Sequence, residues 1–216
     1  MDEEEQEPSG QLFILSGPSG SGKDTLLSCL LKKYPDIRLS VSMATRPPRA
    51  GEHTSPKYQF VAPSHFIHML HLGDLLEYTE YLGNYYGTPK KPVMDWLREG
   101  RDVILEIDVI GAAKIRQIFP DAISIFILPP SLDTLRERLD RRHTEDRVSA
   151  YRRMRAAVDE VARAQEYDYV IVNDDLQEAV NDLAAVIHAH RFTARRMKTI
   201  IDGVLENAQS FHWKTT

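Results

Sequence analysis

Residues 12–27 read LFILSGPSGSGKDTLL and indicate the fold more clearly than any other stretch of the chain. The apolar run 12–15 is short, as is typical of a strand buried on both faces. A glycine-rich stretch follows, and leucines at helical spacing come after it. The segment therefore predicts the order strand, loop, helix.

The loop GPSGSGK at residues 17–23 matches the start of the phosphate-binding motif G-x-x-x-x-G-K-[ST]. Glycines let consecutive backbone N–H groups turn toward a phosphate, and the lysine at the helix start reaches the outer phosphates. The strand and helix on either side supply the context that this motif requires. The expected phosphate-binding residues are Gly17, Pro18, Ser19, Gly20, Ser21, Gly22 and Lys23.

Position 24 departs from the motif, because Asp24 stands where a Ser or Thr hydroxyl normally binds the nucleotide's magnesium ion. A carboxylate is a good Mg²⁺ ligand, but it repels a polyphosphate when the metal is absent. We therefore expect Asp24 to act as a Mg²⁺ ligand and metal-free nucleotide to bind poorly. In the alternative interpretation, Asp24 is an acid favoured at a helix N-terminus by the helix dipole. Thr25 places a hydroxyl about 100° further around the helix.

Three further apolar runs, at residues 103–105, 123–128 and 169–172, resemble inner strands of a sheet. Helical patterns lie between them at residues 112–119 and 132–164. This alternation predicts an α/β fold, with a parallel sheet core and helices on both faces.

Two segments interrupt the alternation. Residues 38–97 contain short β-like pieces, prolines and a group of tyrosines, which predict a small mixed α+β insertion that binds a substrate. Residues 136–155 are rich in arginine and too polar to pack tightly on a core, so a helical lid is predicted. The remaining predicted units are a disordered acidic tail (1–10), a main domain (11–190) with its core in 11–37 and 98–190, and a C-terminal helical extension (191–216).

Charge and composition narrow the class of protein. The chain has 27 Lys and Arg against 32 Asp and Glu, a formal net charge of −5, whereas a non-specific nucleic-acid binder needs a dominant cationic surface. No apolar stretch approaches the roughly 18 residues of a membrane span. The single cysteine, Cys29, excludes an intramolecular disulfide and a cysteine-built zinc site, and the N-terminus lacks a secretory pattern. We expect a soluble cytoplasmic protein without nucleic-acid or membrane partners.

Further stretches accompany the phosphate loop. They are SVSMATRPPRAGEHTSPKYQF (40–60), LEY (76–78), GNYYGT (83–88), ILEIDVIG (104–111) and YDYVIVNDDL (167–176). Together and in this order, from about Leu12 to His190, they resemble the guanylate kinases, which transfer the γ-phosphate of ATP to GMP. The resemblance implies a P-loop kinase fold, an insertion that binds the nucleoside monophosphate, ATP and GMP or dGMP as substrates in purine nucleotide metabolism, Mg²⁺ with the ATP, and a monomer or homodimer.

The resemblance also implies which residues bind GMP. Arg46 and Arg49 flank a Pro-Pro pair, so two guanidinium groups can face one phosphate, to which two tyrosines add hydroxyl donors. Glu77 would read guanine, because a carboxylate accepts from two donors that adenine does not present together. The implied GMP-binding residues are Ser42, Arg46, Arg49, Tyr58, Glu77, Tyr86, Thr88, Glu106 and Asp108.

Glu106 and Asp108 lie two apart at the end of an apolar strand, hence on one face, where α/β sheets open onto their ligands. The family usually has Asp at both positions, so Glu106 is a departure. Asp108 is also a candidate metal residue, acting through water. Ser55 and Lys57 depart as well, since the family often has Gly and Asp there.

On the ATP side, three arginines match those that the family closes over the transferring phosphoryl group, where cations stabilise its charge. Two residues after the last strand match positions beside adenine, although an Asx turn would explain them equally well. The implied catalytic residues are Lys23, Arg138, Arg142 and Arg153. The implied ATP-binding residues beyond the loop are Asp24, Thr25, Arg142, Arg153, Asn173 and Asp174.

Two alternatives stay open at this point. The Gly-Lys-Asp sequence also resembles ribose 1,5-bisphosphate phosphokinase, although such an enzyme has no need of the guanine-reading Ser42, Glu77 and Thr88. The second alternative is a guanylate-kinase-like interaction module that has lost catalysis, although such a module need not keep Lys23 and the lid arginines.

Overall fold

The structure, a computed structural model, describes residues 10–48, 57–81, 83–140 and 147–209. Numbered in chain order, the core strands are β1 (Leu12–Ser16), β2 (Arg38–Leu39), β7 (Val103–Glu106), β8 (Ile123–Leu128) and β9 (Tyr169–Val172). They form one sheet in the order β2-β7-β1-β8-β9, and every neighbouring pair is parallel. The predicted α/β fold with a parallel core is confirmed.

Helices cover both faces of this sheet. Phe13 and Leu15 point to one face, which packs on α1 (Lys23–Lys33) and α7 (Leu176–His190). Leu12 and Ile14 point to the other. That second face packs on α3 (Lys90–Arg98) and α4 (Val109–Ile118). Successive strand residues alternate between faces, so the run of apolar residues reflects burial on both.

The insertion forms a second sheet of four strands. They are β3 (Ser42–Ala44), β4 (Tyr58–Phe60), β5 (Leu75–Tyr81) and β6 (Asn84–Pro89), in the order β4-β3-β6-β5. Helix α2 (Pro63–Leu72) contributes Phe66, which is fully buried. Arg38 and Leu39, expected inside this insertion, instead pair with β7 of the core sheet.

The charged region contains two helices, α5 (Leu132–Asp140) and α6 (Arg147–Ala162), and a 3-10 turn at Arg163–Glu166. They share a small apolar cluster of Leu135, Leu139 and Ala157. The predicted lid, 136–155, covers parts of both helices, and residues 141–146 lie outside the described ranges. Among the helices that the structure describes, none has the length and apolar character needed to cross a membrane.

The last element that the structure describes is α8 (Lys198–Gln209), which lies inside the predicted C-terminal helical extension. Ile200, Val204 and Leu205 on this helix are about 60% exposed. Of the predicted acidic tail, only Gly10 belongs to the described residues.

Asp102 ties the segment before α8 to the core. Its side chain is 3% exposed and accepts hydrogen bonds from the Arg191 Nε at 2.8 Å and the Arg196 Nη1 at 3.0 Å. The backbone N–H of Gln11, at the entry to β1, donates to the same carboxylate at 3.2 Å. One buried carboxylate thus joins the entry to β1 to the segment between α7 and α8.

Asp102→Asn is expected to lower the free energy of unfolding by about 2–4 kcal/mol, because it removes the charge that pairs with two guanidinium groups. Urea unfolding followed by circular dichroism measures the change. The control is Asp121→Asn, since Asp121 is 72% exposed and pairs only at the surface with Arg195, so its loss should stay below about 1 kcal/mol. Equal losses in the two variants would contradict the role given to Asp102.

Candidate active site

At Gly17 and Gly22 the phosphate loop has a backbone that only glycine fits. Gly17 and Gly22 have φ of 147° and 90°, and a β-carbon on Gly22 would lie 2.3 Å from the Asn173 Nδ2. A β-carbon on Gly17 would lie 2.4 Å from the carbonyl oxygen of Ile127. The loop is therefore packed against β8 and against Asn173, the residue after β9, and α1 begins at the last loop residue, Lys23.

Lys23 folds back over this loop. Its Nζ donates to the carbonyl oxygens of Gly17, at 2.5 Å, and Pro18, at 3.0 Å. Burial lowers the pKa of Lys23, while the negative charges of Glu106 and Glu160 oppose that shift. The ammonium group is thus held at the loop among acidic side chains.

Asn173 and Arg138 brace the loop from behind. The Asn173 Nδ2 donates to the carbonyl oxygen of Ser21 at 2.7 Å, and Asn173 is 5% exposed. The guanidinium of Arg138 donates to the carbonyl oxygens of Asn173, at 3.1 Å, and Ser21, at 3.4 Å. Both residues position the loop in this structure, and their contacts with ATP stay predictions.

The other residues predicted for the ATP side are placed less fully. Thr25 and Asp174 are exposed, on α1 and after β9 respectively. Arg153 is partly buried on α6. Arg142, and Arg49 on the GMP side, lie outside the part of the chain that the structure describes.

The small sheet gathers the described residues predicted to read the GMP base and hold its phosphate. Glu77 on β5 and Thr88 on β6 are register partners, and the Thr88 hydroxyl donates to the Glu77 Oε1 at 2.7 Å. Glu77 is 7% exposed, and its Oε2 would be 2.8 Å from a β-carbon on Gly111 at the start of α4. The residues that this sheet carries are Ser42, Tyr58, Glu77, Tyr86 and Thr88.

Burial raises the pKa of Glu77 to about 7; the hydrogen bond from Thr88 opposes this shift and the charge of Asp108 adds to it. A carboxylate has room for about four hydrogen-bond donors. Further donors from a ligand would stabilise its charge, which the buried site otherwise disfavours.

Arg46 lies beside the two tyrosines that are predicted to bind the GMP phosphate with it. Its guanidinium carbon is 5.3 Å from the ring centre of Tyr58 and 5.2 Å from that of Phe60. The rings of Tyr58 and Tyr86 meet edge to face at 6.4 Å. These contacts bring together three of the four residues predicted to hold the phosphate of GMP.

Asp108 acts as the N-cap of α4. Its Oδ1 accepts from the backbone N–H groups of Ile110, at 2.9 Å, and Gly111, at 2.7 Å. Its Oδ2 accepts from the Thr79 hydroxyl at 3.0 Å. These bonds give Asp108 a structural role, and its predicted contacts with GMP and metal-bound water stay predictions.

Lys57 joins the start of α1 to the end of β7 in the core sheet. Its Nζ lies 2.6 Å from the Asp24 Oδ1 and 2.7 Å from the Glu106 Oε2. Burial would lower the pKa of Lys57, but attraction to Glu106 and the hydrogen bond to Asp24 raise it overall. For Asp24, burial acts to raise the pKa, but the hydrogen bond from Lys57 holds that pKa below its usual value. Burial raises the pKa of Glu106 despite the attraction of Lys57.

Sequence reasoning gave no role to Glu160 or Thr79. Glu160 lies on α6, and burial raises its pKa to about 7 against the attraction of Lys23. Both residues lie in elements whose sequence shows nothing beyond ordinary polar positions, so only the fold could bring them to the site. Among the described residues, no three His, Cys, Asp or Glu side chains come together as a metal site.

Comparison with known proteins identifies relatives along nearly all of the chain. A family model described as guanylate kinase matches residues 9–190. A guanylate kinase of Carboxydothermus hydrogenoformans is 43% identical over 200 residues, which cover 91% of this chain and 98% of that protein. One of Synechocystis is 46% identical over 178 residues, covering 82% and 93%.

A solved structure agrees with these sequences. The crystal structure of guanylate kinase from Anaplasma phagocytophilum is 33% identical, covers 87% of this chain and 89% of its own, and superimposes with a TM-score of 0.73. Fold, motif order and sequence identity agree over the same length, and the chain belongs to the guanylate kinase family.

Proposed function

We propose that this protein transfers the γ-phosphate of ATP to GMP or dGMP, giving ADP and the diphosphate, in purine nucleotide metabolism. The observation that carries the substrate assignment is the buried Glu77 carboxylate, which Thr88 orients and which can accept more hydrogen bonds. Guanine presents two adjacent donors to such a group. The relatives' names support the same reaction, and neither a pentose phosphate acceptor nor a non-catalytic module is favoured.

On the donor side, the backbone of the loop 17–23 would bind the phosphates of ATP, and Lys23 would exchange its two loop carbonyls for phosphate oxygens. Arg153, with Arg142 and Arg138, would stabilise the charge that spreads over the transferring phosphoryl group. These groups act by binding and neutralising charge.

On the acceptor side, Arg46 and Arg49 would bind the phosphate of GMP, with hydroxyl donors from Tyr58 and Tyr86. Ser42 and Thr88 would complete the contacts around the base. The attacking group is a phosphate oxygen that is already anionic, so no strong general base is needed. The insertion therefore has to orient the acceptor in line with the γ-phosphate.

Mg²⁺ would arrive with ATP and, when bound, neutralise charge on the outer phosphates. Asp24 has the hard-oxygen chemistry of a Mg²⁺ ligand and a side chain 60% exposed beside the phosphate loop, but its Oδ1 already pairs with Lys57 at 2.6 Å, so the ion would be held chiefly by the phosphates of ATP. We propose a cytoplasmic monomer or homodimer acting on small-molecule nucleotides, without nucleic-acid or membrane partners, in keeping with the net charge of −5 and the single cysteine.

A coupled assay of ADP formation tests the function. ATP is offered with GMP, dGMP, AMP, UMP and ribose 1,5-bisphosphate in separate reactions. We expect GMP to give the highest kcat/KM, because AMP would leave the buried Glu77 carboxylate unmatched. Equal turnover of AMP and GMP would contradict the proposal, and preference for the pentose bisphosphate would favour the other kinase.

The affinity for GMP is expected to fall as pH drops below 7, to about one tenth of its high-pH value near pH 6. The raised pKa of Glu77 lets it take up a proton in this range, and GMP needs the ionised carboxylate. Calorimetric titration with GMP between about pH 5.5 and 8.5 measures the effect. Glu77→Gln retains the titration of the GMP phosphate itself, so the pH dependence due to Glu77 is the difference between the two proteins. An identical dependence in both would refute the assignment.

A further inference from the structure

Three charged residues, Asp24, Lys57 and Glu106, meet at one point in the structure. The sequence places them far apart, yet one Lys57 Nζ contacts an oxygen of each carboxylate at 2.6 and 2.7 Å. The cluster therefore holds two carboxylates and one ammonium, so Lys57 offsets one of the two negative charges.

The position of Lys57 makes this contact part of the architecture. Lys57 directly precedes β4, and its carbonyl oxygen accepts from the Ser42 N–H at 3.0 Å, which holds its backbone to the small sheet. Asp24 is the second residue of α1, and Glu106 ends β7. The ammonium thus reaches from the acceptor-binding insertion to the donor loop and the core sheet.

The contact also differs from a surface ion pair. The side chains of Lys57 and Glu106 are 24% and 18% exposed, so the pair is largely removed from water. By contrast, Lys91 and Asp95 pair within α3 with side chains 86% and 39% exposed. Partial burial makes a charge imbalance at the first site more costly than at the second.

Asp24 and Glu106 alone would place two negative charges beside the loop that has to accept a polyphosphate. We propose that Lys57 is a positioning residue whose ammonium is the built-in counter-ion of Asp24 and Glu106, so that the donor loop accepts ATP phosphates without a metal bound to the protein. This inference rests on the proposed function, because it concerns the same donor site. It reverses the expectation from the sequence, in which Asp24 makes metal-free ATP bind poorly.

The test compares ATP binding with and without Mg²⁺, by calorimetry, in the full-length protein. Lys57→Met should weaken metal-free ATP, measured in EDTA, by about 10-fold or more, because the two carboxylates then repel the phosphates. It should weaken Mg-ATP by less than about threefold, because the ion supplies the missing positive charge. Lys91→Met removes the same charge at the surface and should leave both affinities unchanged.

A second substitution, at one of the two carboxylates, distinguishes an effect of charge from damage to the loop. Adding Asp24→Asn or Glu106→Gln to Lys57→Met should restore binding of metal-free ATP, whereas damage to the loop would not be repaired by a further substitution. Lys57→Arg keeps the charge and should keep the ratio of the two affinities close to that of the original protein.

Mn²⁺ alone gives a readout without nucleotide. Electron paramagnetic resonance should show tighter Mn²⁺ binding to Lys57→Met than to the unaltered protein, because both carboxylates lose their cation. Adding Asp24→Asn should remove that gain.

An unchanged ratio of metal-free to Mg-ATP affinity in Lys57→Met would overturn the inference. If the unaltered protein binds no ATP even with Mg²⁺, the proposed function itself fails, which is a different result. Should Lys57→Met not fold, as judged by circular dichroism, Lys57→Gln keeps a chain of similar length with a hydrogen-bond donor and takes its place in the same measurements.

Discussion

Glu77→Gln is expected to lower kcat/KM for GMP by about 10²-fold or more, while the dissociation constant of ATP changes by less than about twofold. The buried carboxylate accepts from two guanine donors, and an amide offers one acceptor and turns an N–H₂ group toward the second donor. The Thr88 hydroxyl, 2.7 Å from the carboxylate, retains an acceptor in the variant. The main loss is therefore recognition of guanine.

Steady-state assays with GMP and AMP measure this loss as a change in the ratio of their kcat/KM values. The control is Glu80→Gln, because Glu80 lies on the same strand but is exposed. It removes an equal charge and should leave the ratio unaltered. If Glu77→Gln discriminates between GMP and AMP as well as the original protein does, Glu77 does not read the base.

The central strands of the core sheet could be predicted because they are buried on both faces, and the apolar run 123–128 forms β8 at those residues. The run 169–172 also forms a strand, β9, but the prediction of an inner strand is wrong there: β9 lies at the sheet edge, where Tyr169, Val170 and Val172 are exposed. In contrast, β2 has only two residues, too few for any periodicity, and its place at the sheet edge depends on pairing with β7.

The part of the site that is local in sequence could be predicted. The loop 17–23 is contiguous, so one short motif identifies its backbone chemistry. The pair of Glu77 and Thr88 is predicted from the resemblance to the family. The contacts of Lys57 span 33 and 49 residues along the chain, and no local pattern reports them. Asn173 shows the same limit, since a residue after a strand can contact a ligand or brace the loop that binds it.

Lys23 has the central place on the donor side. It is the first residue of α1, and its ammonium bonds to two carbonyl oxygens of the loop that would hold the phosphates. A phosphoryl group in transfer carries charge on its outer oxygens, and a fixed cation in a partly enclosed site stabilises that charge strongly. Asp24 and Glu106 are paired with Lys57, so their negative charge is shared between two ammonium groups and does not cancel the charge of Lys23.

Lys23→Ala is therefore expected to lower kcat by about 10³-fold, the range found when a preorganised charge-stabilising donor is removed. Single-turnover phosphoryl transfer with GMP at saturation measures this step separately from product release. The dissociation constant of GMP should change by less than about threefold, because Lys23 belongs to the donor loop, whereas Ser42, Glu77 and Thr88, assigned to the guanine base, lie on the second sheet. Lys33→Ala is the matched control, since Lys33 is exposed at the other end of the same helix and bonds to Asn181, and it should leave kcat unaltered. A loss in kcat below tenfold for Lys23→Ala would mean that the ammonium only ties the loop together, and the arginines would then have to supply the stabilising charge.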